Sequence, residues 1–171
     1  MSLLYLLTGS NMGSRLRRLN RAAALVNTQI GKVRRVSAVY ETAPWGNMEQ
    51  PAFLNQVLEV STMLEPKPAL NQIMLIESQM GRVRTEKWGQ RCIDIDILLF
   101  NSLVINSPEL TIPHPLLPMR RFALTPLAEL APHFLHPVLQ VSIQDLLHNC
   151  PDELPVTYYK ATKQGRYIGK D

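Results

Sequence analysis

The N-terminal segment joins a short apolar stretch to an amphipathic stretch, and this pairing constrains the fold more than any other feature. Residues 3–8 are almost wholly apolar and precede Gly9-Ser10, which predicts a buried strand that ends in a turn. The following residues predict a helix with one apolar stripe, formed by Leu16, Leu19, Ala23, Val26 and Ile30. Because a helix of this kind must cover another apolar layer, the chain needs a sheet beneath it.

The rest of the chain continues to alternate between strand and helix patterns. Strands are predicted at 32–41, 53–62 and 92–99, the last pairing with 103–106, and helices at 66–80, from Thr125-Pro126, and from Ser142. In the third helix we expect Thr125 to be the N-cap and Pro126 the first helical residue. Several strand connections are too short for parallel crossovers, so we predict an α+β sandwich with a mostly antiparallel sheet.

Length and composition indicate one globular domain. The chain has 171 residues, 46% of them apolar, enough for one packed core. We expect residues 1–150 to form this domain and residues 151–171, which mix proline, glycine and charge, to form an irregular extension. The net charge of +4 favours anionic partners. Only two cysteines, and no signal-peptide or membrane-spanning pattern, predict a cytoplasmic protein without a membrane partner.

The sharpest chemical feature is the pair Asp94 and Asp96 within a predicted strand. Side chains alternate between the faces of a strand, so these two carboxylates project from one face while Ile93, Ile95 and Ile97 face the core. Two adjacent carboxylates repel each other, and a divalent cation removes that repulsion. Mg²⁺ prefers one or two carboxylates completed by water and phosphate oxygens. An ordinary strand with acidic outward positions fits the pattern alone equally well.

The residues before the acidic pair favour a phosphate site. Arg82, Arg84, Lys87 and Arg91 precede it within a short polar stretch. Cations and a metal-binding pair in one region suit a triphosphate, whose negative charge shifts during group transfer. No Gly-x-x-x-x-Gly-Lys-Ser/Thr loop is present, which argues against a P-loop kinase.

A second group of residues suits a flat heterocycle. Phe53 and Asn55 share one face of their predicted strand, so a ring can stack while the amide bonds its edge, although a core phenylalanine beside a structural asparagine is an alternative. Trp45 and Trp88 lie in polar loops, where they either cover a ligand or pack on the domain. His114 lies between two prolines and has either a phosphate-binding or a structural role.

Taken together, these residues closely resemble the 6-hydroxymethyl-7,8-dihydropterin pyrophosphokinase family of folate biosynthesis. The resemblance runs from about residue 3 to residue 148, and its most specific part is Arg-x-x-Asp-x-Asp at 91–96 with Arg-x-Arg at 82–84. Its other motifs are Thr42-Ala43-Pro44, residues 50–55, Glu77, and Pro113-His114 with Arg120 and Phe122. The family implies a ferredoxin-like α+β fold and transfer of the β,γ-diphosphate of ATP to a pterin hydroxymethyl group, with AMP as the second product.

The resemblance also implies a role for each matching residue. Asp94 and Asp96 are expected to hold two Mg²⁺ ions, and Arg82, Arg91 and Asp96 to be catalytic. ATP contacts are expected at Glu77, Arg82, Arg84, Arg91, Ile97, Thr111, His114 and Arg120. Pterin contacts are expected at Thr42, Ala43, Pro44, Trp45, Phe53, Asn55, Trp88, Asp94 and Phe122. Either Asp96 or a metal ion prepares the pterin hydroxyl for attack.

Two other functions compete with this interpretation. Nucleotidyltransferases also combine Gly-Ser with Asp-x-Asp, but they place the two close together, whereas Ser10 here lies far from Asp94. A nucleic-acid-binding module would explain the basic pI of about 9.3. We expect no nucleic-acid partner and a monomer, with a dimer as the alternative.

Overall fold

The computed structural model describes residues 1–44, 50–82 and 92–160. The described elements are β1 (Ser2–Ser10), α1 (Arg15–Gln29), β2 (Gly31–Val36), β3 (Val39–Thr42), β4 (Phe53–Thr62), α2 (Pro66–Gln79), β5 (Asp94–Phe100), β6 (Ile105–Asn106), β7 (Thr111–Ile112), a 3-10 helix (Leu117–Met119), α3 (Arg121–Leu130), α4 (Ile143–His148) and β8 (Val156–Lys160). Over these ranges, no helix is long and apolar enough to cross a membrane.

The main sheet has six strands and helices on both faces. Its order is β5-β1-β4-β3-β8, and β2 also pairs with β4. The pairings of β1 with β4 and β5, of β4 with β2 and β3, and of β3 with β8 are all antiparallel. The predicted ferredoxin-like α+β fold is therefore confirmed. β6 and β7 form a separate two-stranded sheet.

Alternation along the strands divides the core between the two faces of the sheet. In β1, Leu4 and Leu6 belong to the cluster that includes residues of α1 and α2, whereas Tyr5 and Leu7 belong to the cluster that includes residues of α3. The predicted apolar stripe of α1 is confirmed, because four of its five residues are buried and Leu16 packs against the same cluster. The face under α3 is the one that carries Asp94 and Asp96.

The predicted strand 32–41 is two strands, β2 and β3, which pair with successive parts of β4. They are separated at Ser37 and Ala38. The backbone N–H of Val57 donates to the Ser37 hydroxyl at 2.9 Å, and the Ser37 N–H donates to the Val57 carbonyl. Because a side-chain oxygen takes the place of a backbone carbonyl, the ladder is interrupted there without leaving the Val57 N–H unsatisfied.

The predicted start of the third helix was wrong. α3 begins at Arg121, so Pro126 lies inside the helix and Thr125 is not its N-cap. The N–H of Arg121 donates at 3.0 Å to a carboxylate oxygen of Asp152, a cap that lies far along the chain. By contrast, the start of α4 was predicted correctly, since the Ser142 hydroxyl accepts the N–H of Asp145.

Two other predictions fail at the periphery. Residues 103–106 do not pair with the strand before them, because β6 pairs with β7 instead. The C-terminal segment is not wholly irregular, since β8 adds an outer strand to the main sheet beside β3. The division of the chain into a domain and an extension remains a prediction.

Candidate active site

Asp94 and Asp96 lie on β5, the edge strand of the main sheet. Their side chains are half-buried, whereas Ile95 and Ile97 are 4% and 6% exposed in the core on the opposite face. The acidic pair therefore projects from one face of the sheet edge, as the strand period predicts.

Arg82 and Glu77 form an ionic cluster with the first of these carboxylates. A guanidinium nitrogen of Arg82 contacts the Glu77 carboxylate and lies 2.8 Å from Oδ1 of Asp94. Burial raises the pKa of Glu77, and the Arg82 charge and the Ile95 N–H offset part of that rise. Burial alone would lower the pKa of Arg82, but Asp94 and Glu77 outweigh it and raise that pKa. Arg82 therefore remains a cation between two carboxylates.

Glu77 also holds the strand that carries the acidic pair. Its Oε1 accepts the N–H of Ile95 at 2.8 Å, and its side chain is almost fully buried. Ile95 lies between Asp94 and Asp96, so this bond fixes the backbone from which both carboxylates project.

A cleft of about 520 Å³ opens beside the acidic pair. Its walls include Asn71, Met74 and Glu77 on α2, together with Arg82, Asp94 and Asp96. Lys67 and Glu109 line it as well and form an exposed ion pair of 2.7 Å. Cavities of this volume hold small-molecule ligands, and the mixture of apolar and charged walls suits a nucleotide with its phosphates near the carboxylates.

Arg120 and His114 also lie near the acidic pair. A guanidinium nitrogen of Arg120 is 4.0 Å from Asp96 Oδ2, and its guanidinium carbon is 5.6 Å from the centre of the Phe122 ring. Burial, and secondarily the charge of Arg120, lowers the pKa of His114 to about 4. The ring is therefore neutral near pH 7, and its Nδ1 accepts the N–H of Leu116 at 3.1 Å.

A row of residues across the sheet links the acidic pair to the predicted pterin contacts. Gly9 of β1 is paired with Asp94 on one side and with Asn55 on the other. Paired residues project from the same face, and two strand spacings separate Asp94 from Asn55 by roughly 10 Å. A Cβ on Gly9 would lie 3.0 Å from Asn55 Oδ1 and 3.8 Å from the Phe53 ring. The glycine therefore leaves room on the sheet surface where a side chain would crowd the Asn55 amide.

Asn55 is oriented by Thr42. The Asn55 side-chain amide donates to the Thr42 hydroxyl oxygen at 2.8 Å, and both side chains are buried. With its NH₂ group held, the amide presents a fixed hydrogen-bonding edge beside Gly9. Phe53 is half-buried two residues earlier on the same strand, which places a ring and an amide side by side as the sequence predicts.

Some of the other predicted contacts lie next to the site, and others do not. Ala43 and Pro44 follow Thr42 directly, and Phe122 lies in the first turn of α3. Thr111 opens β7, whereas the Ile97 side chain is in the core, so only the Ile97 backbone can face a ligand. Trp45, Arg84, Trp88 and Arg91 lie outside the described residues.

The turn predicted at Gly9-Ser10 is not formed, because both residues belong to β1. Ser10 is the last residue of β1, and its hydroxyl donates to the Cys92 carbonyl at 2.7 Å. The Asn11 amide donates to the Gln50 side chain and to the Pro51 carbonyl, at 3.2 and 3.3 Å. Both residues therefore connect the end of β1 to the segments that lead into β5 and β4. Their small polar side chains directly after Gly9 were a signal for this role.

The donor set at the sheet edge fits magnesium. Within residues 1–44, 50–82 and 92–160 there is no group of three metal-ligating side chains of the kind that binds zinc. Asp94 and Asp96 instead offer two half-exposed carboxylates at the wall of a cleft. Two carboxylates with space for water and phosphate oxygens form the arrangement that Mg²⁺ prefers.

Comparisons with known proteins show the family of the chain. The family model for 7,8-dihydro-6-hydroxymethylpterin-pyrophosphokinase matches residues 5–132. The 2-amino-4-hydroxy-6-hydroxymethyldihydropteridine pyrophosphokinase of Aquifex aeolicus is 38% identical over 145 residues, which cover 85% of this chain and 90% of that protein. A crystal structure of Plasmodium falciparum HPPK-DHPS shares the fold, with a TM-score of 0.73, 20% identity, and coverage of 86% of this chain and 45% of that one.

Some relatives are much longer than this chain. The folic acid synthesis protein of Dictyostelium discoideum is 38% identical over 151 residues, which cover 88% of this chain but only 23% of that protein. The matches to the family model and to the Aquifex protein extend over most of the chain. The chain therefore belongs to the 7,8-dihydro-6-hydroxymethylpterin-pyrophosphokinase family.

Proposed function

We propose that the chain transfers the β,γ-diphosphate of ATP to the hydroxymethyl oxygen of 6-hydroxymethyl-7,8-dihydropterin in folate biosynthesis. The observation that carries this proposal is the row in which Gly9 separates Asp94 from Asn55. It provides a charged end for phosphates and a neutral end for a heterocycle, about one pterin length apart. The names of the Aquifex aeolicus and Bacillus subtilis relatives support the same reaction.

The reaction exchanges one phosphorus–oxygen bond for another. The pterin hydroxymethyl oxygen attacks the β-phosphorus of ATP, and the bond from that phosphorus to the oxygen shared with the α-phosphate breaks. AMP leaves with the electron pair, and the hydroxyl proton is released to Asp96 or to water. Because the bond change needs alignment and charge stabilisation more than a strong base, the main task of the site is positioning.

The charged end would hold the triphosphate. Asp94 and Asp96 would bind Mg²⁺, which supplies positive charge to the phosphate oxygens. Arg82 and Arg120 flank this pair and would contact the transferred diphosphate. Arg91 is proposed to do the same. In the described structure Arg82 is bonded to Glu77 and Asp94, so a phosphate would have to share or replace one of those contacts.

The neutral end would select the pterin. The amide of Asn55, held by Thr42, would bond the edge of the ring system, and Phe53 and Phe122 would provide apolar contact. A site that bonds the polar edge of a heterocycle rejects analogues that lack it, because its buried polar groups would then be left unpaired. Selectivity for a pterin over other planar rings is therefore expected to depend on Asn55.

A product assay tests the reaction. The chain is incubated with ATP, Mg²⁺ and 6-hydroxymethyl-7,8-dihydropterin, and the products are separated by ion-exchange chromatography. AMP and a pterin diphosphate in equal amounts are expected. Release of inorganic pyrophosphate with a nucleotide attached to the pterin would instead show a nucleotidyltransferase. Titration with Mg²⁺ at fixed ATP tests the proposed number of two ions.

Three further assignments belong to this proposal. We propose that the chain acts as a monomer in the cytoplasm and has no nucleic-acid partner. Light scattering of the purified chain tests the first statement, and fractionation of cells that produce it tests the second. RNA binding with a steep salt dependence would contradict the third.

A further inference from the structure

We propose that residues 150–160, here named the C-terminal brace, hold the two walls of the pterin site in register, with Asp152 as its main positioning residue. This inference rests on the proposed function, because it assigns a task at the same pterin site. One wall is the start of α3, which carries Phe122, and the other is the end of β3, which carries Thr42. The brace contacts both walls.

At the α3 wall, Asp152 caps the helix from outside. Its Oδ2 accepts the N–H of Arg121, the first residue of α3, at 3.0 Å, whereas the adjoining residue Arg120 makes no side-chain cap. Asp152 Oδ1 accepts the N–H of Leu154 at 3.1 Å, so one carboxylate joins the helix to the brace. A side-chain acceptor at a helix start satisfies an N–H that has no partner within the helix.

Arg121 completes this connection from the helix side. Its Nε donates to the Asp152 carbonyl at 2.6 Å and one of its terminal nitrogens donates to the Cys150 carbonyl at 3.2 Å. The backbone of the brace is therefore bonded at two carbonyls to the residue between Arg120 and Phe122. Those two neighbours are the predicted contacts for phosphate and pterin.

At the β3 wall, β8 extends the sheet beside Thr42. Val156 is paired with Thr42, and Tyr158 with Tyr40, whose rings meet edge to face at a centroid distance of 6.2 Å. Without β8, the short strand β3 would be the edge of the sheet. Thr42, its last residue, would then be paired on one side only and free to fray. The bond from Asn55 to Thr42 depends on this residue remaining in place.

On the opposite face of the sheet, Arg15 joins the same strands. Its guanidinium lies 2.7 Å from the Glu41 carboxylate and 5.9 Å from the Tyr159 ring centre, and it donates to the Ala52 carbonyl at 2.7 Å. Glu41 precedes Thr42, and Ala52 precedes Phe53. Arg15 therefore attaches β8 to both strands that supply the pterin wall.

The first test uses substitutions at Asp152 in the full chain. Asp152→Ala is expected to raise the KM for the pterin about fivefold, the effect of losing one helix cap, while kcat and the KM for ATP change less than about twofold. Asp152→Asn keeps one acceptor oxygen and is expected to fall between wild type and Asp152→Ala. Glu153→Ala, which removes the adjacent exposed carboxylate, is the matched control. An unchanged pterin KM in Asp152→Ala, or equal rises for ATP and pterin, overturns the brace.

The second test uses two proline substitutions in β8. Successive N–H groups of a strand point to opposite sides, so either Thr157→Pro or Tyr158→Pro removes an N–H that faces β3, and the other removes one that faces away. The brace predicts that only one of the two raises the pterin KM. Equal effects of both, or of neither, contradict it.

Amide hydrogen exchange separates this inference from the proposed reaction. In Asp152→Ala, faster exchange is expected at Phe122 and its neighbours in the first turn of α3, whether or not the chain turns over. If exchange in this turn is identical to that of wild type, the proposed positioning role of the brace is overturned. A wild-type chain that forms no AMP overturns the proposed function alone.

Discussion

The row through Gly9 has a charged end at Asp94 and a neutral end at Asn55, and the two ends stabilise their polar groups in different ways. At the Asp94 end, ionised groups compensate one another, since Arg82 lies between Glu77 and Asp94. At the Asn55 end, the groups are neutral and buried, and the Asn55 amide donates a hydrogen bond to the Thr42 hydroxyl. The charged end remains half-exposed beside a cleft, whereas Asn55 and Thr42 at the neutral end are almost fully buried.

This difference follows from the cost of burial. An unpaired buried charge costs far more than a buried amide with one partner, so ions need either solvent or a counter-ion. Phosphates and Mg²⁺ carry their own charge into the cleft and can replace existing ionic contacts there. A pterin is neutral and flat, and it benefits from a surface whose polar groups are already fixed. Substitutions at the two ends should therefore affect different kinetic constants.

The largest effect is expected at the acidic pair. Asp94→Ala and Asp96→Ala are each expected to lower kcat/KM by about a thousandfold or more, because the phosphate charge is no longer balanced. The melting temperature of Asp96→Ala should stay close to that of wild type, since this side chain is 33% exposed. Asp94→Ala also removes an ion pair with Arg82 and should melt at a lower temperature. Glu153→Ala is the control for loss of an exposed acid. Mg²⁺-dependent ATP binding that survives in both variants would contradict the metal assignment.

The next largest effect is expected at Glu77, where substitution should lower the free energy of unfolding. Glu77→Ala removes the acceptor for the Ile95 N–H and leaves Arg82 without one of its two carboxylates. Breaking a buried pair of this kind costs about 3 kcal/mol, measured by urea unfolding. Glu77→Gln retains an acceptor for the Ile95 N–H and should lose less stability than Glu77→Ala. Ser78→Ala, at an exposed neighbouring position on α2, is expected to change stability by less than about 0.5 kcal/mol.

A moderate effect, confined to the pterin, is expected at Thr42. Thr42→Val keeps the side-chain shape but removes the oxygen that accepts from Asn55. The Asn55 amide then either loses this hydrogen-bond partner or rotates away from its present orientation. We expect the KM for the pterin to rise about tenfold with the KM for ATP unchanged. Thr42→Ser keeps the hydroxyl and should stay near wild type. A Thr42→Val chain that loses ATP and pterin affinity equally would show that the two ends are not separable.

Features set by local sequence periods were predictable, whereas features set by distant contacts were not. Asp94 and Asp96 could be placed on one face because the strand period alone determines it. The stripe on α1 is similarly local. The start of α3 could not be predicted, because its cap is Asp152, whose distance along the chain no local pattern reveals. For the same reason β8 looked irregular: its pairing with β3 depends on a sheet edge that only the folded chain provides.

The smallest effect is a pH dependence at His114, whose backbone N–H donates to the Leu98 carbonyl of β5, the strand that carries the acidic pair. Burial lowers its pKa from 6.5 to about 4, so the folded chain favours the neutral ring. Its contribution to stability is complete above pH 6.5 and is lost as the pH falls from 6.5 toward 4, because the unfolded chain then binds a proton that the folded chain does not. Protonation would also destroy the Nδ1 acceptor for the Leu116 N–H.

His114→Asn isolates this contribution, because the amide oxygen can replace Nδ1 as an acceptor but does not titrate. Between pH 7 and pH 5 the wild-type melting temperature is expected to fall more than that of His114→Asn, by about a few degrees. His136, whose pKa burial also lowers, is present in both chains, so it cancels in the difference. Equal slopes would mean that the ring is already charged, or solvated, in the folded chain. His114 would then be available as a cation for the triphosphate, and the division between a charged and a neutral end would have to shift.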